Sequence, residues 1–262
     1  MASSLVGGLI ADGTPPERIS IADPDDDKRA HAARHFGIHT TADNSTLVAG
    51  CDVVVLAVKP QLMRPVCEAV ARPVGERAPL VISVAAGVRV ADMERWLGGK
   101  PAIVRTMPNT PAMVQCGATA LYANDQAGAR ERELAEAIMR AVGLTLWVDD
   151  EALMDVVTAV SGSGPAYFFL MMEMLEEAGT QLGLARDQAR LLALQTAFGA
   201  SKMALESDEP TARLRERVTS PGGTTERAIG VMQQADIRAV FERAVTAARD
   251  RSRELADLLG KQ

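Results

Sequence analysis

Aromatic side chains are scarce in this chain, at 3% of its residues, and the net charge is −6. A nucleic-acid partner needs a basic stripe and stacking rings, so that class is excluded as a main partner. The cysteines number only three, Cys51, Cys67 and Cys116, with no CxxC pair among them. An odd set so spaced builds neither a disulfide framework nor a zinc site, and it fits a reducing compartment. Histidine occurs only at His31, His35 and His39. The first two share a helix face by spacing, but Gly37 is expected to end that helix before His39 and no third ligand is evident. A solvated stripe is the better reading, and no metal is expected. No apolar run nears the roughly 20 residues that span a bilayer; the longest, around Ala166 to Met172, is stopped by Glu173. The first residues also lack the basic flank of a secretory signal. A cytoplasmic protein with no membrane partner is expected.

What the chain does have is apolar content, 47% of 262 residues, enough to fill the cores of two domains. The stretch Ser220-Pro221-Gly222-Gly223-Thr224-Thr225 reads as a tight turn feeding a helix, because Ala228, Ile229, Val231, Met232 and Ala235 follow at helical spacing. Two glycines let a ligand approach the backbone, and the turn's amides stand at the positive end of the helix dipole. That is a cradle for an anion. The plain alternative is an interhelical turn with Gly and Ser as breakers.

Ahead of the turn, short apolar strands alternate with helical periods. A helix is expected from Ala2 to about Ala11, a strand over Arg18 to Ala22 ending at Asp23-Pro24, and a helix from about Asp25 to Phe36. A carboxylate at a strand end is where dinucleotide folds meet the adenosine ribose, which makes Asp23 a cofactor candidate. Equally, Asp23 opens the turn and caps the helix. An Asp there favours NAD, whereas Lys28 and Arg29 are placed to neutralise the 2′-phosphate of NADP.

Asp52 to Val58 is a β-branched run suited to a parallel sheet covered on both faces, and it ends in Lys59-Pro60-Gln61. Ligands of such sheets sit beyond the strands' carboxyl ends, which puts Ala57, Val58, Lys59 and Pro60 beside a cofactor. Leu80 to Val84 repeats the pattern before Ala85-Ala86-Gly87, and Ala102 to Arg105 runs into residues 106–111, where Asn109 and Thr110 are candidates to orient a carboxamide. A strand over Ala118 to Ala123, a helix from about Gly128 to Val142 and a strand over Leu144 to Val148 complete an α/β domain.

Beyond Asp149 the pattern is helical throughout. Leu153 to Val160 is expected to end at Ser161-Gly162-Ser163-Gly164-Pro165, followed by a nearly all-apolar helix from Ala166 to Leu182 and by helices over 186–205, 211–218, 225–234 and 237–259. A helical domain of about 110 residues cannot cover so apolar a helix alone, so a second subunit is expected to bury the rest.

Five segments carry a family likeness: Ala57-Val58-Lys59-Pro60-Gln61, Ala85-Ala86-Gly87, Met107-Pro108-Asn109-Thr110-Pro111, Ser161-Gly162-Ser163-Gly164-Pro165-Ala166-Tyr167 and Val218-Thr219 with the Ser220 to Thr225 turn. In this order and spacing the chain resembles pyrroline-5-carboxylate reductase, the family that catalyses the last step of proline biosynthesis. The resemblance implies a Rossmann-like domain over 1–150 that binds NADP, with NAD possible, and an all-helical dimerisation and substrate-binding domain over 151–262. It implies a homodimer, with larger homo-oligomers built from it. By similarity, Asn44, Ala57, Val58, Lys59 and Pro60 line the cofactor site, and Val84 and Ala86 lie near the nicotinamide. Ser220, Gly222, Gly223, Thr224 and Thr225 take the carboxylate of 1-pyrroline-5-carboxylate on backbone amides, and Thr225 is the catalytic residue, bonded near the ring nitrogen. A protonated cyclic imine is already electrophilic, so reduction needs no strong base. The rival readings are a reductase of another small imine and a catalytically silent helical dimerisation protein.

The family opens with a strand and a Gly-x-Gly-Asn-Met-Ala loop, whereas this chain begins Met1-Ala2-Ser3-Ser4-Leu5. The expectation is a start placed at an internal methionine. Without that central strand, its neighbours should either stand two strand spacings apart, roughly 9 to 10 Å, or close up.

Overall fold

The computed structural model describes residues 1–261. In chain order its elements are α1 (Ala2–Ala11), β1 (Ser20–Ala22), α2 (Asp26–Phe36), β2 (His39–Thr41), α3 (Asn44–Ala49), β3 (Val53–Leu56), α4 (Met63–Arg77), β4 (Leu80–Ser83), α5 (Val90–Leu97), β5 (Ile103–Met107), β6 (Gly117–Ala123), α6 (Ala129–Arg140) and β7 (Gly143–Trp147). Helices follow to the end: α7 (Leu153–Val157), α8 (Gly164–Gln181), α9 (Arg186–Glu206), α10 (Thr211–Arg217), α11 (Thr224–Gln234) and α12 (Ile237–Gly260). The chain divides into two compact units, a sheet unit of Met1–Ser163 plus the end of α12 from Ala248, and a helical unit of Gly164–Ala247. The fold is therefore α/β followed by an all-α part, with α7 and the last turns of α12 belonging to the sheet side.

Local chemistry sets the helix bounds. The Asp25 side chain accepts the N–H groups of Asp27 and Lys28 at the start of α2, and Gly37 ends that helix in the left-handed conformation at φ 69°. Asp43 caps α3 in the same way through Ser45 N.

The main sheet runs β3-β4-β5-β6-β7, parallel except for the antiparallel β5–β6 pair. Alternation along its central strands feeds two cores. Val81 and Ile103 join Met63, Cys67, Val70, Met93 and Trp96 of α4 and α5 on one face, whereas Leu80, Ile82 and Val104 join Leu5, Leu121, Ala135 and Met139 on the other.

The sheet is split where the first strand of the family was expected. Among the described residues β1 pairs only with β2, in a separate two-stranded sheet, and β3 pairs only with β4. The neighbours have not closed up. Helix α1 lies across the division, its Leu5 and Leu9 packed with Val53 and Val55 and its Val6 and Ile10 packed with Ile19 and Ile21. The β-branched run at 52–58, expected to be covered on both faces, is an edge strand whose Val53 and Val55 are only half-buried. A strand with one neighbour has less of each face covered.

A second correction concerns the glycines after Val160. The helix does not stop there: Thr158–Gly162 forms a π turn, Ser163 N bonds Thr158 O at 2.8 Å, and α8 begins at once with Gly164 and Pro165. A Cβ on Gly162 would stand 2.5 Å from Cε at the flexible end of Met107, so the glycine sits inside the helical stretch against that side chain and does not terminate it. As a result Leu153–Gln181 is one helical stretch of 29 residues, the one among the described residues long and apolar enough to cross a bilayer, against the expectation that no run approached that length.

Candidate active site

Residues 220–223 form a type II turn. Pro221 takes the second position, Gly222 the third at φ 72°, and Gly223 N bonds Ser220 O at 3.0 Å. The two glycines answer different demands. Gly222 supplies the positive φ, and a Cβ on Gly223 would lie 2.9 Å from Ser220 O. Helix α11 then starts at Thr224 with Gly223 as its N-cap and no side-chain cap.

The amides of the turn divide into two sets. Gly223 N is spent on Ser220 O, and Gly222 N on the Glu226 carboxylate at 2.7 Å, so neither glycine offers a free donor as expected. The free donors are the N–H groups of Thr224, Thr225 and Glu226, the first turn of α11, which no carbonyl of the described residues reaches. Thr225 is half-buried there, while Ser220, Gly222 and Thr224 are exposed. Glu226 is the residue that the sequence reading missed. Its signal was present, since an acid at the third helix position habitually reaches back to an amide before the helix.

In the sheet unit the strand ends gather the other candidates. Leu56 pairs with Ser83, and Val84 N bonds Leu56 O at 3.2 Å, so Ala57 and Val58 lie beside Val84 and its loop. Lys59 is exposed, and Pro60 opens a short 3-10 turn, Pro60–Leu62. The loop after β4 is braced from beneath: Ser83 is fully buried, its hydroxyl accepts Ala85 N, and its carbonyl takes Thr106 Oγ1 at 2.9 Å. Ala86 is half-buried, and behind it Gly87 packs on Ala256 and Leu259 of α12.

Asp23 and Asn44 each follow the carboxyl end of a strand of the β1–β2 pair, where Asp23 N bonds Thr41 O at 3.2 Å. Asp23 Oδ1 accepts Asp25 N at 2.9 Å, so the turn-opening role is realised, and Arg29 reaches the Asp23 carbonyl at 2.6 Å. The Lys28 amide foremost holds the Asp25 carboxyl below its ordinary range, and the Thr46 hydroxyl does the same for Asp43. Both caps stay charged beside this strand edge.

Asn109 is a correction. Its Nδ2 donates to Ser161 O at 3.3 Å and Oγ at 3.2 Å, and its Oδ1 accepts Ala118 N at 2.9 Å. The carboxamide thus ties the loop after β5 to the π turn and to β6, and is not free to orient a ligand. A comparable joint went unread at Arg105, 3% exposed, whose guanidinium meets Glu151 at 2.8 Å while Glu151 also accepts Val90 N. Histidines 31 and 35 are exposed and stacked with centroids 5.5 Å apart. No metal-binding group of side chains occurs among the described residues.

A sheet of mostly parallel strands with small-residue loops at its strand ends, followed by a helical part whose turn leaves a helix start uncapped, is the architecture of a nicotinamide-nucleotide oxidoreductase. The family model described as pyrroline-5-carboxylate reductase dimerisation matches residues 151–255, and that described as NADP oxidoreductase, coenzyme F420-dependent, matches residues 1–87. The chain is 51% identical to the pyrroline-5-carboxylate reductase of Pseudomonas aeruginosa over 261 residues, covering 100% of this chain and 95% of that one. A solved pyrroline-5-carboxylate reductase from Coxiella burnetii superposes with a TM-score of 0.94 at 48% identity, over 97% of this chain and 94% of that one. The Plasmodium falciparum pyrroline carboxylate reductase, solved with NADP bound, gives 0.85 at 28% identity over 97% and 94%. The chain belongs to the pyrroline-5-carboxylate reductase family.

Proposed function

We propose that the chain reduces 1-pyrroline-5-carboxylate to L-proline in the cytoplasm, with its substrate carboxylate on the N–H groups of Thr224, Thr225 and Glu226. Three aligned amides at a helix N-terminus suit one carboxylate, and the dipole of an 11-residue helix adds to them. The single observation that carries this reading is the type II turn leaving that first helical turn uncapped.

The residues present fit NADP at both ends of the strand row. Asp23 has one carboxylate oxygen beyond its turn bond for a ribose hydroxyl, and the Arg29 guanidinium beside it, held by the Asp23 carbonyl and by Asp26, would exchange Asp26 for a 2′-phosphate. Asn44 stands at the same edge, while Ala57, Val58, Lys59, Pro60, Val84 and Ala86 offer a low wall of mostly small side chains for a flat ring. When bound, the reduced nicotinamide supplies a hydride to the imine carbon. The chain's own part is to hold the ring: amides fix the carboxylate, and the Thr225 hydroxyl hydrogen-bonds at the ring nitrogen and fixes its orientation. No histidine follows His39, so positioning and dipoles carry the reaction, without an imidazole acid.

Association follows from the apolar face of the helical unit. A dimerisation family model covers it, and Phe168, Phe169, Leu191, Leu192 and Phe198 on α8 and α9 are exposed in the single chain. The occupant that fits is a second copy of this chain, giving a homodimer through α8 and α9 from which larger assemblies can grow.

Replacing Thr225 by Ala tests the loop. A lost bond to a charged substrate lowers kcat/KM by about 10- to 100-fold, with the dissociation constant of NADPH nearly unmoved. An unchanged kcat/KM discards the role.

A further inference from the structure

Glu226 stands at the third position of α11 and turns back along the helix, so that its Oε2 lies 2.7 Å from Gly222 N. A carboxylate on a turn amide is the same pairing that a carboxylate ligand makes there. The Gly222 N–H is therefore held by an anion that the chain itself provides. Glu226 also lines a cavity of about 210 Å³ with Arg215, Glu216, Thr219, Ile229 and Gln233. Glu216 is already paired with Arg213 at 2.7 Å, and the Thr219 hydroxyl bonds the Arg215 carbonyl at 2.6 Å. The Arg215 guanidinium has no ion pair or hydrogen bond among the described residues.

We propose that Glu226 is a displaceable internal competitor for the substrate carboxylate: it holds Gly222 N–H until a ligand carboxylate takes that amide, and then pairs with Arg215 across the cavity. This rests on the reading of residues 220–225 as the substrate turn. The held Gly222 amide and the free amides of Thr224 and Thr225 belong to one turn, and two carboxylates on it repel each other, so the arriving ligand favours release of the glutamate. The exchange selects for charge. A ligand carboxylate replaces one charge-assisted bond by another, whereas a neutral ring cannot dislodge the glutamate. Were the contact only a helix cap, removing it would cost stability and leave substrate affinity alone.

The test is steady-state kinetics with 1-pyrroline-5-carboxylate on Glu226→Ala, Arg215→Met and the double variant of the full chain. Glu226→Ala is expected to lower KM by about two- to fivefold, the range of an exposed charged contact, with the smaller change in kcat. Arg215→Met is expected to raise KM in the parent and to lose that effect in the Glu226→Ala background, because the glutamate that it receives is gone. A KM unchanged or raised in Glu226→Ala overturns the proposal, as do two effects that merely add. Titration of L-proline into protein labelled with 15N at glycine and threonine separates this from the underlying assignment. Expected are shifts of the Gly222, Thr224 and Thr225 amides together. Shifts of the threonines without Gly222 remove the role of Glu226 and leave the substrate turn standing; no shift at any of the three removes both.

Discussion

The two units solve the burial problem in opposite ways. The sheet unit encloses Met63, Ile82, Met93, Ile103, Leu121 and Met139 almost completely, on both faces of β4 and β5. The helical unit buries no side chain larger than a methyl group: its buried residues are Gly164, Ala189 and Ala193. Its large apolar groups point outward, Phe169 at 64% exposure and Leu191 at 68%. Fixing a residue costs roughly 1 to 2 kcal/mol of backbone entropy, and a unit that hides only alanines has little to set against that. The difference teaches that one unit buries a core of its own, whereas the other leaves its large apolar side chains for a further copy of the chain to cover.

The sharpest way to break that contrast is to charge the exposed face. Phe169→Glu in α8 should weaken self-association by about three orders of magnitude, as loss of a central aromatic contact does. Sedimentation should show the monomer mass, and helical content should fall as the uncovered unit loosens. On an ordinary exposed site the same change would move stability by only about 0.5 kcal/mol. A variant that keeps both its assembly and its melting temperature would show that α8 faces water by design.

The converse experiment lies in the sheet unit. Ile82 is fully buried on the face shared with Leu5, Leu121 and Met139. Ile82→Ala should cost about 2 to 5 kcal/mol, read as a lower urea midpoint with an unchanged slope. Self-association should persist in that variant. Dissociation on Ile82→Ala would mean that the units are not independent in their cores.

What could be read from the sequence was local. Asp25 and Gly37 bracket α2 by their own hydrogen bonds and dihedral preference, and Pro221 with Gly222 specifies the turn type outright. What could not be read depended on distant partners. Gly162 looks like a breaker because nothing nearby announces Met107, against which it packs. Asn109 looks like a ligand donor until Ser161 and Ala118 take its polar atoms. The Val53–Leu56 run has the same letters at an edge as in the middle of a sheet, and only the pairing distinguishes them. The turn at 220–223 was legible, yet which of its amides are free was not, because the choice belongs to the Glu226 rotamer.

The smallest expected effect concerns the part of α12 that belongs to the sheet unit. Ser252 Oγ donates to Asp155 Oδ1 at 2.6 Å, both residues are buried, and Arg253 stands 3.9 Å from the other carboxylate oxygen. Farther along, Arg89 meets Asp257 at 2.7 Å and Arg95 donates to Gly260 O at 2.7 Å, but those contacts are exposed and screened. The buried bond is therefore the one that fixes the helix end against α7. Ser252→Ala leaves a buried carboxylate one partner short and should cost about 1 to 3 kcal/mol. Global unfolding would register that loss as a lower midpoint; hydrogen exchange should locate it, in the amides of residues 252–260 and in the Ala85 to Gly87 loop that Ala256 and Leu259 support. Faster exchange confined to α12, with the loop unchanged, would mean that the brace under that loop comes from Ser83 and Thr106 alone.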